Sequence, residues 1–239
     1  MNDAAPHVMA WRIPEVRRGH TPVLREGTLE VPRGRNVAVA GLNGAGKTTL
    51  FLHLLGALRG SRVSSTTQVG RTAYQPQDVP IPPIMTVRQF GHLVHGVEFG
   101  RFEAEYSDLG VGQLASRRMG ELSKGEAQFI YLAFTLLQDA DLIILDEPTA
   151  SLDMRRRAQA QELLQDRKTI LANSTLLVSS QVPEVLLRTC THLVCVAQGT
   201  ITYAGDLAAV IPAGGQSREQ RFEEALLSLI DPIPGSADQ

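Results

Sequence analysis

The sequence predicts an α/β fold: a parallel β-sheet covered by helices on both faces. Three observations predict it. Short apolar strand patterns alternate with helix patterns through most of the chain, the order that parallel strands joined by crossover helices require. The run DLIILDEP is apolar and β-branched up to its acidic end, as a strand buried on both faces would be. The stretch GLNGAGKTT, Gly41 to Thr49, stands between the strand pattern NVAVA and the helix pattern LFLHLLGAL. With 239 residues, 43% of them apolar, the chain is long enough to bury a full core, and residues 1–239 are expected to form one domain.

In chain order, VMAWRI, GTLEV and NVAVA read as short strands, the last two separated by Pro32-Arg33-Gly34, a turn signal. A helix follows from Lys47 to near Leu58, and a strand from Gln68 to Tyr74. QPQDVPIPPIM is too rich in proline to be anything but an extended loop. Thr86 to Leu114 turns helical in short pieces, VRQFGHLVHG and FEAEYSDLG. Ser123 to Gln138 is a stronger helix, with Phe129, Leu132, Ala133, Leu136 and Leu137 sharing one face. After DLIILDEP come a helix from Arg155 to Asp166, the strand STLLVSS, the helix PEVLLRTC, and the hairpin HLVCVA–TITYAG around Gly199. REQRFEEALLSLI is an amphipathic closing helix, and the tail DPIPGSADQ is expected to be loose.

Composition excludes several classes. A net charge of −2 favours no broad nucleic-acid surface, so no nucleic-acid partner is expected. Cys190 and Cys195 fit no paired-ligand spacing and are expected to be ordinary buried thiols. No apolar run approaches the roughly 20 residues of a membrane helix. MNDAAPHVMAWRIPEV lacks the charged start and apolar core of a secretory signal. The expected place is therefore the cytoplasm, with a membrane reached only through a partner.

The glycine-rich stretch fits G-x-x-x-x-G-K-[ST] from Gly41 to Thr48. Gly41, Leu42, Asn43, Gly44, Ala45 and Gly46 would turn backbone N–H groups inward as an anion nest, where side chains would block a phosphate. The helix after it points its positive dipole end at the same place. Lys47 would reach the outer phosphates as a point charge, with Thr49 beside them. The Thr48 hydroxyl would take a position on Mg²⁺. At the end of LIILDEP, Asp146 can hold the metal through its water shell. Its neighbour Glu147 can polarise an attacking water. Two adjacent carboxylates at a strand end can also serve as a helix cap.

The order GLNGAGKTT, YQPQ, LSKGEAQ, LIILDEPTASLD resembles the ATP-binding cassette (ABC) ATPases, the nucleotide-binding subunits of transporters, over about residues 8–210. The resemblance implies a P-loop NTPase (RecA-like) core, residues 8–76 and 140–210, with a small antiparallel β subdomain. It also implies a helical signature subdomain, residues 78–138, beside the C-terminal helix at 216–230. In that family the second motif reads LSGGQ; here Ser123 and Gly125 remain, while Lys124 and Glu126 replace a glycine and a glutamine. By resemblance, Gln77 is the loop glutamine that senses Mg²⁺ and water, with Gln75 its nearer rival. Ser123 and Gly125 would bind the γ-phosphate held by a second copy, although SKGE also reads as a plain capping box. Asp153 would sit at the dimer seam. Two such subunits, as homodimer or heterodimer, would enclose two ATP molecules and drive an integral-membrane permease, holding the pair at the cytoplasmic face of the membrane.

Two positions depart from the family pattern. Gln181, in TLLVSSQVPEV, stands where the family has a histidine; it can donate a neutral hydrogen bond but cannot become a cation. Arg18 falls where an aromatic residue normally stacks on adenine. A guanidinium can stack on a purine; His20 can as well, and Trp11 reads as a core strand residue. The closing helix resembles the ends of cassettes that serve exporters of drugs or antibiotics. A soluble cassette ATPase and a weakly hydrolysing, nucleotide-gated module remain the alternatives.

Overall fold

The computed structural model describes residues 8–58, 64–65, 67–109, 111–165 and 174–230. The first third holds strands β1 (Val8–Ile13), β2 (Val16–Arg18), β3 (Thr21–Leu24), β4 (Gly27–Pro32) and β5 (Asn36–Ala40), then helix α1 (Lys47–Leu54), β6 (Ser64–Ser65) and β7 (Thr72–Gln75). The middle is helical: α2 (Val87–His95), α3 (Phe99–Glu105) and α4 (Lys124–Leu136). The last third alternates: β8 (Leu142–Leu145), α5 (Met154–Gln165), β9 (Thr175–Ser179), α6 (Pro183–Thr189), β10 (His192–Ala197), β11 (Thr200–Asp206), α7 (Leu207–Val210) and α8 (Arg218–Ile230).

Six strands form the central sheet in the order β11-β10-β5-β9-β8-β7. All pairs are parallel except β10 with the edge strand β11. Both faces are covered, as the continuous apolar runs predict. Along β5, Val37 and Val39 face one cluster with Trp11, Leu29 and Phe51, while Ala38 and Ala40 face a second with Phe129, Leu186 and Phe222. The antiparallel sheet β4-β1-β6 and α1 cover the first face; α4, α5, α6 and α8 cover the second. A third cluster, built on Phe90, Phe102, Tyr131 and Phe134, packs α2 and α3 against α4. Ring pairs such as Phe102–Phe134 at 4.1 Å give it its own core.

Helix α4 belongs to two cores. Phe129, Leu132 and Leu136 pack on the sheet, while Ala133 and Leu137 pack in the aromatic cluster. The single apolar face expected there is therefore two faces, because the helix is sandwiched between sheet and lobe. Helix α1 ends at Leu54 rather than near Leu58: Gly56 takes φ +68° and donates to the His53 carbonyl, a left-handed stop. The strand expected from Gln68 to Tyr74 begins only at Thr72, since Arg71 N–H is claimed by the Asp141 carboxylate. The β2–β3 hairpin has no counterpart in the sequence reading. The tail DPIPGSADQ and the Asp166 end of α5 lie outside the described residues. Cys190 and Cys195 are buried, and no helix among the described residues is long and apolar enough to cross a membrane.

Candidate functional site

Because β5, β9, β8 and β7 run parallel and side by side, their carboxyl ends share one edge of the sheet, where ligands of such folds bind. β5 leads into the Gly41 loop and β8 into Asp146, while β9 ends at Ser179 and β7 at Gln75. Four stretches distant in sequence thus converge. A cavity of ≈ 360 Å³ opens there, with Lys47, Thr48, Asp146, Glu147, Gln77 and Gln181 in its wall. Asn43, Gly44, Gly46 and Thr49 complete the loop side.

The loop conformation demands its glycines at two points. Gly41 has φ +152°, and a Cβ there would lie 2.2 Å from the Val196 carbonyl oxygen on β10. Gly46 has φ +111°, and its Cβ would lie 2.7 Å from the Val23 carbonyl oxygen on β3. The β10–β11 turn clamps the loop, with Gly199 N–H donating to the Ala45 carbonyl at 2.9 Å. Gly46 caps α1 with no side-chain partner, so the first helical amides remain available to an anion. Buried Lys47 donates from Nζ to the carbonyls of Gly41 (2.8 Å) and Leu42 (3.2 Å), which holds the ammonium within the loop.

The acid pair is tied down from several strands. Thr48 Oγ1 donates to Asp146 Oδ2 at 2.6 Å. Ser179 Oγ donates to Asp146 Oδ1 at 2.8 Å and accepts Glu147 N–H at 3.0 Å. Gln181 N–H donates to Glu147 Oε2 at 3.1 Å. Glu147 is a non-glycine residue at φ +50°, a conformation that needs surrounding support. Burial pushes its carboxyl pKa above the usual carboxylate range; the Gln181 N–H and Lys47 partly oppose this, and Asp146 adds to it. A raised carboxyl in a cleft is the electrostatic mark of an acid–base group. Its Oε1 is buried with no hydrogen-bond partner among the described residues. The Thr48 hydroxyl and the Asp146 carboxylate, 2.6 Å apart, supply oxygen donors of the kind that a hard divalent cation such as Mg²⁺ takes.

The structure separates the two glutamine rivals. Gln75 is fully buried and donates to the Gln128 carbonyl at 3.4 Å, whereas Gln77 lines the cavity. Arg18, on the β2–β3 hairpin, also lines it. Trp11 is 1% exposed in the core and cannot stack on a base there. Gly41 and Leu42 border a neighbouring cavity between the loop and α8.

Ser123, Lys124, Gly125 and Glu126 stand elsewhere, at the start of α4, and none lines the Lys47 cavity. The capping box is real: Glu126 N–H donates to Ser123 Oγ (3.1 Å) and Ser123 N–H to Glu126 Oε2 (2.9 Å). The Ser123 N–H, more than the Arg117 guanidinium at 3.3 Å, holds the Glu126 carboxyl below the usual range. A Cβ on Gly125 would meet the Ser151 carbonyl oxygen at 3.0 Å, so α4 abuts the TASLD turn. Lys124 makes an exposed, 3.8 Å pair with Asp78. Asp153 caps α5 through Arg156 N–H at 2.9 Å and shares a pocket of ≈ 300 Å³ with Ser123 and Glu126.

Ser179 and Gln128 were missed in the sequence. Each is a polar residue at the edge of an apolar run, and each is buried; that contrast was the available signal.

A phosphate-cradling loop joined to an acid pair on the carboxyl edge of a parallel sheet defines a P-loop nucleotide hydrolase. Residues 24–150 match the family model described as ABC transporter, and the chain belongs to that family: it is an ABC transporter ATP-binding subunit and an ATPase. It is 36% identical, over 194 residues, to the zinc import ATP-binding protein ZnuC of Alkalilimnicola ehrlichii, covering 80% of this chain and 74% of that one. It is 31% identical, over 221 residues, to the cobalamin import ATP-binding protein BtuD of Halobacterium salinarum, covering 82% of this chain and 54% of that one. Among solved structures, an ATP-binding subunit of an ABC transporter superposes with a TM-score of 0.75 at 22% identity, covering 91% of this chain and 99% of that one; that likeness shows the fold alone.

Proposed function

We propose that this ATPase works as a head-to-tail pair, each Mg-ATP bound by the Lys47 loop of one subunit and the Ser123 helix end of the other. The observation that carries the reading is the separation of Ser123 from the Lys47 cavity within one chain. A signature helix that cannot serve its own nucleotide needs a second subunit, identical or related. In this reading residues 8–76 and 140–210 bind nucleotide and residues 78–138 carry the signature.

The geometry supports the following roles. The loop amides and Lys47 neutralise the phosphates. Thr48, Asp146 and Gln77 would hold Mg²⁺, which when bound offsets charge on the transferred group. Glu147 accepts a proton from the attacking water, its raised pKa bringing it nearer the pH at which such a base works best. Gln181 fixes the Glu147 carboxylate through its backbone. Loss of the γ-phosphate removes the group shared between subunits, and the pair opens.

The opening drives a membrane permease that holds the subunit at the cytoplasmic face. The exporter expectation drawn from the closing helix has no support among the relatives, two of which are named for zinc and cobalamin import; import of a metal or metal-containing solute is the direction we propose. Purified protein is expected to turn over Mg-ATP and to lose that activity in Glu147→Gln, and the tagged protein should co-purify with a multi-span membrane protein. Retained turnover with no membrane protein co-purifying would favour the soluble-ATPase alternative. A partner that accumulates solute in inverted vesicles would reverse the proposed direction.

A further inference from the structure

Glu147 is held at its unusual backbone angle from two sides. Its N–H is taken by Ser179 on β9. Its carbonyl accepts a hydrogen bond from Gln128 Nε2 at 3.1 Å. Gln128 lies on α4, five residues beyond Ser123, and is 1% exposed. Its Oε1 accepts Ser151 N–H at 3.2 Å, so one side-chain amide spans the turn from Glu147 to Ser151. Its own backbone carbonyl accepts Gln75 Nε2 at 3.4 Å, and Gln75 stands two residues before Gln77.

Three of the elements around the acid pair therefore meet at one residue. The helix whose end carries Ser123, the turn that carries Glu147 toward Asp153, and the strand end that leads to Gln77 are bonded to one another through Gln128. A buried amide with both ends satisfied is a rigid link, and leaving either partner unpaired would be costly. The turn itself is tight, with Ala150 N–H donating back to the Glu147 carbonyl at 3.2 Å. A displacement of α4 along its axis is therefore transmitted to the Glu147 backbone.

We propose that Gln128 is a positioning residue for hydrolysis: it orients Glu147 and couples that orientation to the occupancy of the Ser123 helix end. The inference rests on the reading of Glu147 as the base. Contact of Ser123 with the nucleotide on a second subunit settles α4, and Gln128 passes that setting to Glu147.

The test is steady-state ATP hydrolysis by purified full-length protein, with Gln128→Met removing both side-chain hydrogen bonds at similar length. Turnover per folded molecule is expected to fall about ten- to a hundredfold, as misplacement of a reacting group by about 1 Å does. KM for ATP and the affinity of the isolated subunit for a fluorescent ATP analogue should stay within about twofold. Ser123→Ala combined with Gln128→Met should lose less than the product of the two single losses, the sign of a shared path. Turnover within twofold of the parent, a loss expressed in KM, or multiplicative losses would each overturn the proposal. If Gln128→Met does not fold, Gln128→Glu, which keeps the acceptor for Ser151 N–H but loses the donor to Glu147, is read in the same way. Glu147→Gln separates the two readings: retained activity there overturns the base assignment itself, whereas abolished activity beside a neutral Gln128→Met overturns only the coupling.

Discussion

Ser179→Ala is the substitution whose effects the structure specifies most fully. One hydroxyl, fully buried, donates to Asp146 at 2.8 Å and accepts the Glu147 N–H at 3.0 Å. Removing it leaves a buried N–H unpaired, at about 1–3 kcal/mol, and deletes a bond to a charged group, at about 1.5–3 kcal/mol. The two losses share a site and do not simply add, so a total of about 3 kcal/mol is expected. For a chain of this size that lowers Tm by about 6–12 °C. Glu147, released at φ +50°, should relax toward ordinary backbone angles, with turnover falling about ten- to a hundredfold below the parent. Asp146 loses one of the two donors that aim it, so the Mg²⁺ concentration for half-maximal activity should rise. Thermal unfolding and a magnesium titration of ATPase activity read both effects. A Tm within 2 °C of the parent together with unchanged magnesium dependence would refute the reasoning.

Three further outcomes follow from the same geometry. Glu147→Gln should raise Tm at pH 7–8: the folded state holds the Glu147 proton more tightly than the unfolded chain, so ionising it costs stability, and that cost vanishes as pH falls through the folded pKa toward the ordinary value of 4.5. A gain that stays constant from pH 8 to pH 5 would contradict the burial argument. Gln181→His should raise single-turnover hydrolysis, by up to about ten- to a hundredfold, because a cationic donor replaces a neutral one; rapid-quench measurement showing an equal or lower rate removes that argument. Glu126→Gln should tighten nucleotide-dependent pairing by removing a carboxylate from a helix end meant for phosphate, while lowering Tm by a few degrees because the charged cap to Ser123 N–H is lost; weaker pairing by sedimentation would count against the role of the Ser123 helix end.

The fold was legible where periodicity was strong. Strands β5, β8, β9 and β10 carry apolar runs because both faces of the sheet are covered, whereas the edge strand β7 reads TAYQ; alternation with helices set their direction. The loop and acid pair were legible because their chemistry tolerates few residue types. What escaped the sequence was decided by tertiary contact. The strands of the β2–β3 hairpin are three and four residues long, too short to show a period. The end of α1 depended on Gly56 taking a left-handed angle, which an apolar run does not announce. The two faces of α4 appeared as one because a helix buried all round blurs its periodicity. Ser179 and Gln128 looked like ordinary polar interruptions; only the strand and helix packing brought them to the Asp146–Glu147 pair. For the two glutamines, the proline before Gln77 favoured that residue by resemblance, and the structure buries Gln75 against Gln128 while Gln77 lines the cavity.

The most direct test of the central claim is the molecular mass of Glu147→Gln protein, measured by analytical ultracentrifugation with and without Mg-ATP, alone and beside its membrane component. A nucleotide bound between two subunits predicts a shift from monomer to pair on adding ATP, reversed by Ser123→Arg, which blocks the second wall of the site. A species that stays strictly monomeric under every one of these conditions, while still binding ATP, would contradict it.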